Sequence, residues 1–285
     1  GLMTDAFDET VKTKPNAQAM DFLGKTFTWS ELQTAVNQFA AGLQAHNIGK
    51  GDKVGIFLPN CPLSLIAYYG ILKTGACAVN YNPLYAKSEL IHQIEDSETD
   101  IMVTLDLDML YGKMKEMLSD TRLKKLIIGK FTDLLPFPKN LLFPIVKKKD
   151  MAKVEDNDRI IWLKDLMNNN GAVKPVEINP LEDLAVLQYT GGTTGVPKGA
   201  MLTHMNIYAN AVQAYSHFPD PEGEHEKMLA VLPFFHVFAM TICLNMAVLG
   251  KMEIVTIPRF DLNDTLDLIH KKKPKYMPAV PAIYG

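Results

Sequence analysis

Between Tyr189 and Gly199 the chain reads YTGGTTGVPKG, with four glycines, three threonines and one lysine in eleven positions. Glycines admit positive φ and let backbone N–H groups approach a ligand, threonine hydroxyls add donors, and Lys198 adds charge. That set of donors suits a chain of phosphates. Pro197 fixes the backbone just before the lysine, which a plain flexible turn has no need of. Two common phosphate motifs are excluded. Lys198 lies between Pro197 and Gly199, so G-x-x-x-x-G-K-[ST] cannot be laid on it, and no G-x-G-x-x-G is present. The flanks are an apolar run, LAVLQY, that reads as a buried strand, and THMNIYANAVQAY, which reads as a helix capped by Thr203. The expectation is a strand-to-helix loop.

A second chemical candidate is His236, alone between Phe235 and Val237 in LPFFHVFA. By residue type it reads as a satisfied core histidine, with Phe234, Phe235 and Phe238 as apolar wall or core. The seven histidines show no H-E-x-x-H or paired spacing, so a metal held by protein ligands is not expected. Cys61, Cys77 and Cys243 are far apart in apolar surroundings and read as buried thiols of a reducing compartment. No Ser/His/Asp or Cys/His arrangement supplies a protein nucleophile.

These groups must be positioned by an alternation of strands and helices, which points to an α/β fold of parallel-rich sheets covered by helices. Thr28 and Glu31 form a capping box ahead of Leu32, Ala35, Val36, Phe39, Ala40 and Leu43, a helical stripe that Gly49 is expected to end. Strands are expected at 53–58, 76–81, 100–105 and 126–129, with helices at 62–73 and 88–96. The rhythm lapses in FTDLLPFPKNLLFPIVKKKD (131–150), where Pro136, Pro138 and Pro144 forbid a long regular helix. A polar linker, 168–180, precedes the second run of strands, and no internal repeat is visible. Residues 228–250 carry no formal charge and are long enough to span a membrane. Pro233, His236 and Asn245 argue instead for strand, turn and buried helix.

Composition fits a cytoplasmic globular protein: 285 residues, 47% hydrophobic, 21% charged and net charge −3, without a secretory pattern at the start. The mild acidity argues against a nucleic-acid partner, which would usually bring a basic surplus. In the 131–150 insert, apolar residues stand against Lys147, Lys148 and Lys149. The pattern suits peripheral contact with an anionic lipid surface, at the inner face of the cytoplasmic membrane, and equally a solvated basic loop.

YTGGTTGVPKGAMLTH resembles the phosphate-binding signature of the adenylate-forming superfamily, the acyl-CoA synthetases, luciferases and peptide-synthetase adenylation domains. FTWSEL, GDKVGIFLPN, GACAVNYNPLY, LPFFHVFA and MPAVPAIYG match further stretches in order, so the resemblance runs from about Phe27 onward. The loop and the 131–150 insert are most similar to bacterial long-chain fatty-acid CoA ligases. The resemblance implies two doubly wound subdomains, 1–170 with the insert at 130–150, and 171–285 carrying the loop, together the truncated large N-terminal part of such an enzyme. It implies ATP, Mg²⁺ and CoA as cofactor and cosubstrates and a fatty acid as substrate. Thr190, Gly191, Gly192, Thr193, Thr194, Gly195 and Lys198 would grip the phosphates. His236 would stand beside the reacting carboxylate, a catalytic role it shares with Lys198, while Tyr81, Asn82 and Pro83 would be structural. The adenine, ribose and mobile-lysine contacts would lie in a missing C-terminal part of the same chain, leaving this portion inactive alone. A homodimer is compatible with the resemblance. The competing readings are a nucleotide- or lipid-binding module without catalysis, or an enzyme that adenylates another acyl or aryl acid, a peptide-synthetase domain included.

Overall fold

The computed structural model describes residues 1–190, 195–218 and 225–284. Helix α1 (Met3–Thr13) buries Met3, Phe7 and Val11, spaced four apart on one stripe. The hairpin β1 (Gln18–Phe22) and β2 (Lys25–Thr28) feeds α2 (Trp29–Ala45) through the expected capping box. There Glu31 N donates to Thr28 Oγ1 at 3.2 Å, and Thr28 N donates to the Glu31 carboxylate at 2.8 Å. The helix stops at Ala45, short of Gly49, because Asn47 takes φ 58° and turns the chain left-handed first.

The expected alternation follows as β3 (Lys53–Ile56), α3 (Pro62–Lys73), β4 (Cys77–Asn80), α4 (Lys87–Ser97), β5 (Ile101–Leu105), α5 (Asp108–Asp120) and β6 (Lys125–Gly129). Every residue of α3 from Pro62 to Leu72 is buried, as its all-round apolar sequence requires. The proline-rich insert does hold a helix, but a short one: α6 (Lys139–Val146) has Pro144 inside it and ends two residues later. Then come β7 (Ile160–Trp162), α7 (Leu163–Leu166), β8 (Leu184–Thr190), β9 (Lys198–Thr203), α8 (His204–Ser216) and β10 (Lys227–Ala230). Helix α9 (Val237–Ala239) runs through a π-helical stretch, Met240–Met246, into α10 (Ala247–Leu249), and β11 (Glu253–Thr256), α11 (Leu262–Lys272) and α12 (Pro281–Tyr284) complete the chain. The uncharged segment 228–250 is thus strand, turn and buried helix. No helix among the described residues is long and apolar enough to cross a membrane.

Seven strands form one sheet in the order β7-β6-β5-β3-β4-β8-β9, parallel except for β9, which pairs antiparallel with β8. Four form a second sheet, β10-β11-β1-β2, with β2 antiparallel. The boundary drawn at the 168–180 linker does not follow these sheets. Strand β8 joins β4 across the linker, and β1 pairs with β11 from the far end of the chain. A linker read from polarity marks a surface crossing, whereas sheet membership is set by long-range pairing that composition does not display. After β4 the chain crosses to the far side of β3, and it returns to β4 only with β8. Crevices beside such a reversal, at the carboxyl ends of parallel strands, are where ligands settle in open α/β sheets.

Candidate functional site

The glycine-rich segment leaves the carboxyl end of β8 at that reversal. It joins two strands, not a strand and a helix, so the expected strand-to-helix loop is corrected to the tip of a β8–β9 hairpin. The helix capped by Thr203 begins only after β9, so the six residues of that strand separate its N-terminus from the loop. The apolar run was legible as a strand, but KGAMLT of β9, which shows no alternation, was not.

Register fixes which side chains share a face. Thr190 pairs with Lys198, Tyr189 with Gly199 and Gln188 with Ala200. Alternation therefore puts Gln188, Thr190 and Lys198 on one face of the hairpin and Tyr189 on the other. Gly199 is required where it stands, since a Cβ there would lie 2.9 Å from the Tyr189 ring. Thr190, Gly195 and Lys198 are all exposed. Gly191, Gly192, Thr193 and Thr194 lie outside the described residues.

The His236 turn meets this same face. Gln188 Nε2 donates to Phe235 O at 2.7 Å, while Gln188 Oε1 accepts from Asn80 Nδ2 at 3.0 Å. From the other side Asn60 Nδ2 donates to Leu232 O at 2.8 Å and Asn60 Oδ1 accepts from Phe234 N at 2.8 Å. Three buried amides thus set the backbone of 232–235 against the strand that leads into the loop. Sequence reading missed Asn60, Asn80 and Gln188. The available signal was an amide at the end of each apolar run, in GIFLPN, CAVN and LAVLQ.

His236 itself is exposed, so the core reading of this histidine is corrected, and Phe238 is half exposed while Phe234 is buried. The neighbours that pack on the His236 ring, Phe235 at 4.7 Å between centroids among them, remove enough water to lower its pKa. The neutral imidazole is the favoured form. Tyr81 is structural as expected: it is buried, and its hydroxyl donates to Thr99 Oγ1 at 2.8 Å. The thiols are buried and free, with Cys61 pushed up to about 11 and Cys77 and Cys243 to about 12 by burial, values that suppress the thiolate. Among the described residues no group of three or more His, Cys, Asp or Glu is placed to hold a metal.

Between the larger sheet, α3 and the π-helical stretch lies a mainly apolar cavity lined by Ile56, Leu58, Ser64, Tyr68, Asn80, Phe234, Phe235, Met240 and Leu244 and narrowed to about 10 Å³, room for one water at most. Exposed donors on the hairpin face, the His236 turn tied to it through Gln188 and a mainly apolar cavity behind Phe234 are an arrangement that can take a phosphorylated molecule next to an amphiphile.

Residues 7–285 match the family described as AMP-binding enzyme. A long-chain-fatty-acid–CoA ligase of Bacillus subtilis is 38% identical over 273 residues, 95% of this chain and 48% of its own. One from Haemophilus influenzae is 36% identical over 266 residues, 90% of this chain and 47% of its own. Among solved structures, a long-chain-fatty-acid–CoA ligase from Archaeoglobus fulgidus superposes with TM-score 0.79 at 25% identity, covering 99% of this chain and 52% of that one. An o-succinylbenzoate CoA synthetase of Bacillus subtilis, solved with ATP and magnesium, shares the fold at TM-score 0.73 and 24% identity, over 98% of this chain and 50% of that one. The chain spans about half the length of the curated relatives it matches.

Proposed function

The chain belongs to the AMP-binding enzyme family, and from that premise we propose that its gene product is an ATP-dependent, AMP-forming ligase that joins a long-chain fatty acid to CoA. The observation that carries the reading is the shared face: Thr190 and Lys198 stand opposite each other on the hairpin, and Gln188 ties that face to the His236 turn. A carboxylate oxygen of the acid attacks the α-phosphorus of ATP, and the bond to the β-phosphate breaks, so pyrophosphate leaves with the electron pair. Lys198 and the donors around Thr190 stabilise that growing charge where it develops. The sulfur of CoA then attacks the acyl carbon, its proton passes to solvent, and AMP departs with the former carboxylate oxygen. No protein nucleophile is needed, in keeping with the suppressed thiols.

His236, as a neutral ring, donates a hydrogen bond to the acid carboxylate and orients it. The donor set suits polyphosphate, and the Thr190 hydroxyl would be a ligand for a Mg²⁺ brought in by the nucleotide, which would supply charge neutralisation. The mainly apolar cavity favours an aliphatic acid over a polar one. Admitting a chain requires its flexible wall residues, Met240 above all, to move aside.

Peripheral membrane contact is part of the reading. On and beside α6, Phe137, Leu141, Leu142, Ile145 and Val146 are 52–79% exposed, next to Lys147, Lys148 and Lys149. An apolar face fringed by lysines matches an anionic lipid interface. Changing the three lysines to Gln should weaken co-sedimentation with anionic vesicles and leave activity on short soluble acids intact. Equal vesicle binding by variant and parent removes the membrane contact.

The function is tested by ATP–pyrophosphate exchange on the intact gene product with acids of graded chain length. Exchange that depends on added acid and rises with chain length is expected. Exchange only with an aryl or amino acid supports the alternative ligase reading, and none with any acid supports a non-catalytic nucleotide-binding module.

A further inference from the structure

Helix α4 touches the hairpin loop at both of its stems. His92 Nε2 lies 3.0 Å from Pro197 O, and since a carbonyl only accepts, the imidazole N–H donates. On the opposite stem Tyr189 Oη donates to Asp96 Oδ2 at 2.5 Å. His92 and Asp96 are four apart, one above the other on the same helix face. The helix is itself fixed to the sheet. Gln93 Nε2 donates to Asn80 O at 2.8 Å, Ser97 Oγ lies 3.0 Å from Tyr81 Oη, and Leu90 and Ile94 are buried beneath. One rigid helix therefore holds the residue that precedes Thr190 and the peptide that leads into Lys198.

We infer that α4 is the positioning element of the phosphate loop, with His92 and Asp96 as its two latches. Holding Pro197 O orients the Pro197–Lys198 peptide, and with it the direction in which the lysine leaves the backbone. Holding the Tyr189 hydroxyl draws its ring over Gly199, on the face away from the ligand, and so presents Thr190 and Lys198 on the other. Neither latch touches the nucleotide, so each acts on how much of the population has its loop stems set for phosphate. Releasing one lowers that fraction and weakens apparent ATP affinity by the same factor. This role rests on the proposed reading of the loop as the ATP phosphate site.

The test uses the intact gene product and the variants His92→Ala, His92→Gln and Asp96→Ala. The expected result for His92→Ala is a rise of about three- to tenfold in KM for ATP, the worth of one ordinary hydrogen bond, with KM for the acid unchanged. His92→Gln keeps an N–H donor at matching reach and should recover most of the loss. Asp96→Ala should act in the same sense from the other stem. Amide hydrogen exchange across 195–199, measured without substrate, should quicken in both alanine variants while α4 itself stays protected. Unaltered KM for ATP in His92→Ala overturns the inference, as do equal rises in both KM values or no recovery with Gln. If the parent protein shows no ligase activity, the functional reading fails, and the exchange rates at 195–199 alone then decide whether α4 holds the loop.

Discussion

The loop after β8 and the turn after β10 both bring polar chemistry to the carboxyl ends of parallel strands, and they are held in opposite ways. The turn is held from inside: buried Asn60 bonds Leu232 O and Phe234 N, and buried Gln188, itself held by Asn80, bonds Phe235 O. The loop is held from outside, at two stem points on α4, with Thr190, Gly195 and Lys198 left exposed. A buried amide that loses its partner leaves the full desolvation penalty behind, whereas a surface latch loses only a modest net bond. The turn is therefore fixed by bonds that are costly to lose, and the loop's stems by bonds that cost less. For the proposed reaction that division puts the more firmly held backbone beside the carboxylate.

The largest expected effect breaks the loop side. Lys198→Ala should slow acyl-adenylate formation by ~10²- to 10³-fold, the range for losing one preorganised donor to developing charge. The lysine is exposed, so its urea unfolding midpoint should stay put. An unchanged adenylation rate removes Lys198 from the site. Asn60→Ala tests the turn side and should do the reverse, costing stability first. It orphans Leu232 O and Phe234 N, at roughly 1–3 kcal/mol for each buried group left unpaired. An unfolding free energy equal to that of the parent shows that the turn does not depend on its amides.

His236→Ala sharpens the contrast between the two partners of the reaction. KM for the acid should rise by about tenfold, as for a lost hydrogen bond to a charged group, with KM for ATP unmoved. A matching rise in both values makes the histidine part of the fold and not of the site.

The smallest effect concerns pH and lies at the hairpin's far end. His204 opens α8, is fully buried, and has no hydrogen-bond partner for either ring nitrogen. Burial lowers its pKa below the usual 6.5, against the opposing pull of Asp183. As pH falls past 6.5 the unfolded chain takes up this proton before the folded one, so stability is complete above that pH and declines as pH drops through the folded value. The decline is at most about 1.4 kcal/mol per pH unit for one such proton. His236 and His46 shift in the same direction, so His204→Gln should flatten the curve of unfolding free energy against pH without abolishing its slope. A curve identical to that of the parent means His204 does not contribute.

The glycine-rich stretch stood out as a candidate because its chemistry is local: glycine, hydroxyl and lysine at fixed spacing. The capping box at Thr28 was legible, since it needs only four consecutive residues. The hairpin was not, because the short, non-alternating KGAMLT of β9 becomes a strand only by lying beside β8. For the same reason the 168–180 linker looked like a domain boundary while β8 was already committed to β4 across it. His236 looked buried because its neighbours are phenylalanines, yet the amides of Asn60 and Gln188 fix the backbone so that the ring faces out. The short helix in the insert escaped notice because three prolines outweigh eight helical residues in any propensity argument.

The central claim is that the acid's own carboxylate oxygen attacks the α-phosphorus held next to the Thr190–Lys198 face. It is tested most directly by turning over a long-chain acid labelled with oxygen-18 in its carboxylate, with ATP and CoA, on the intact gene product. The account predicts that AMP gains one labelled oxygen per thioester formed while pyrophosphate gains none. Label in orthophosphate accompanied by ADP, or unlabelled AMP, contradicts it.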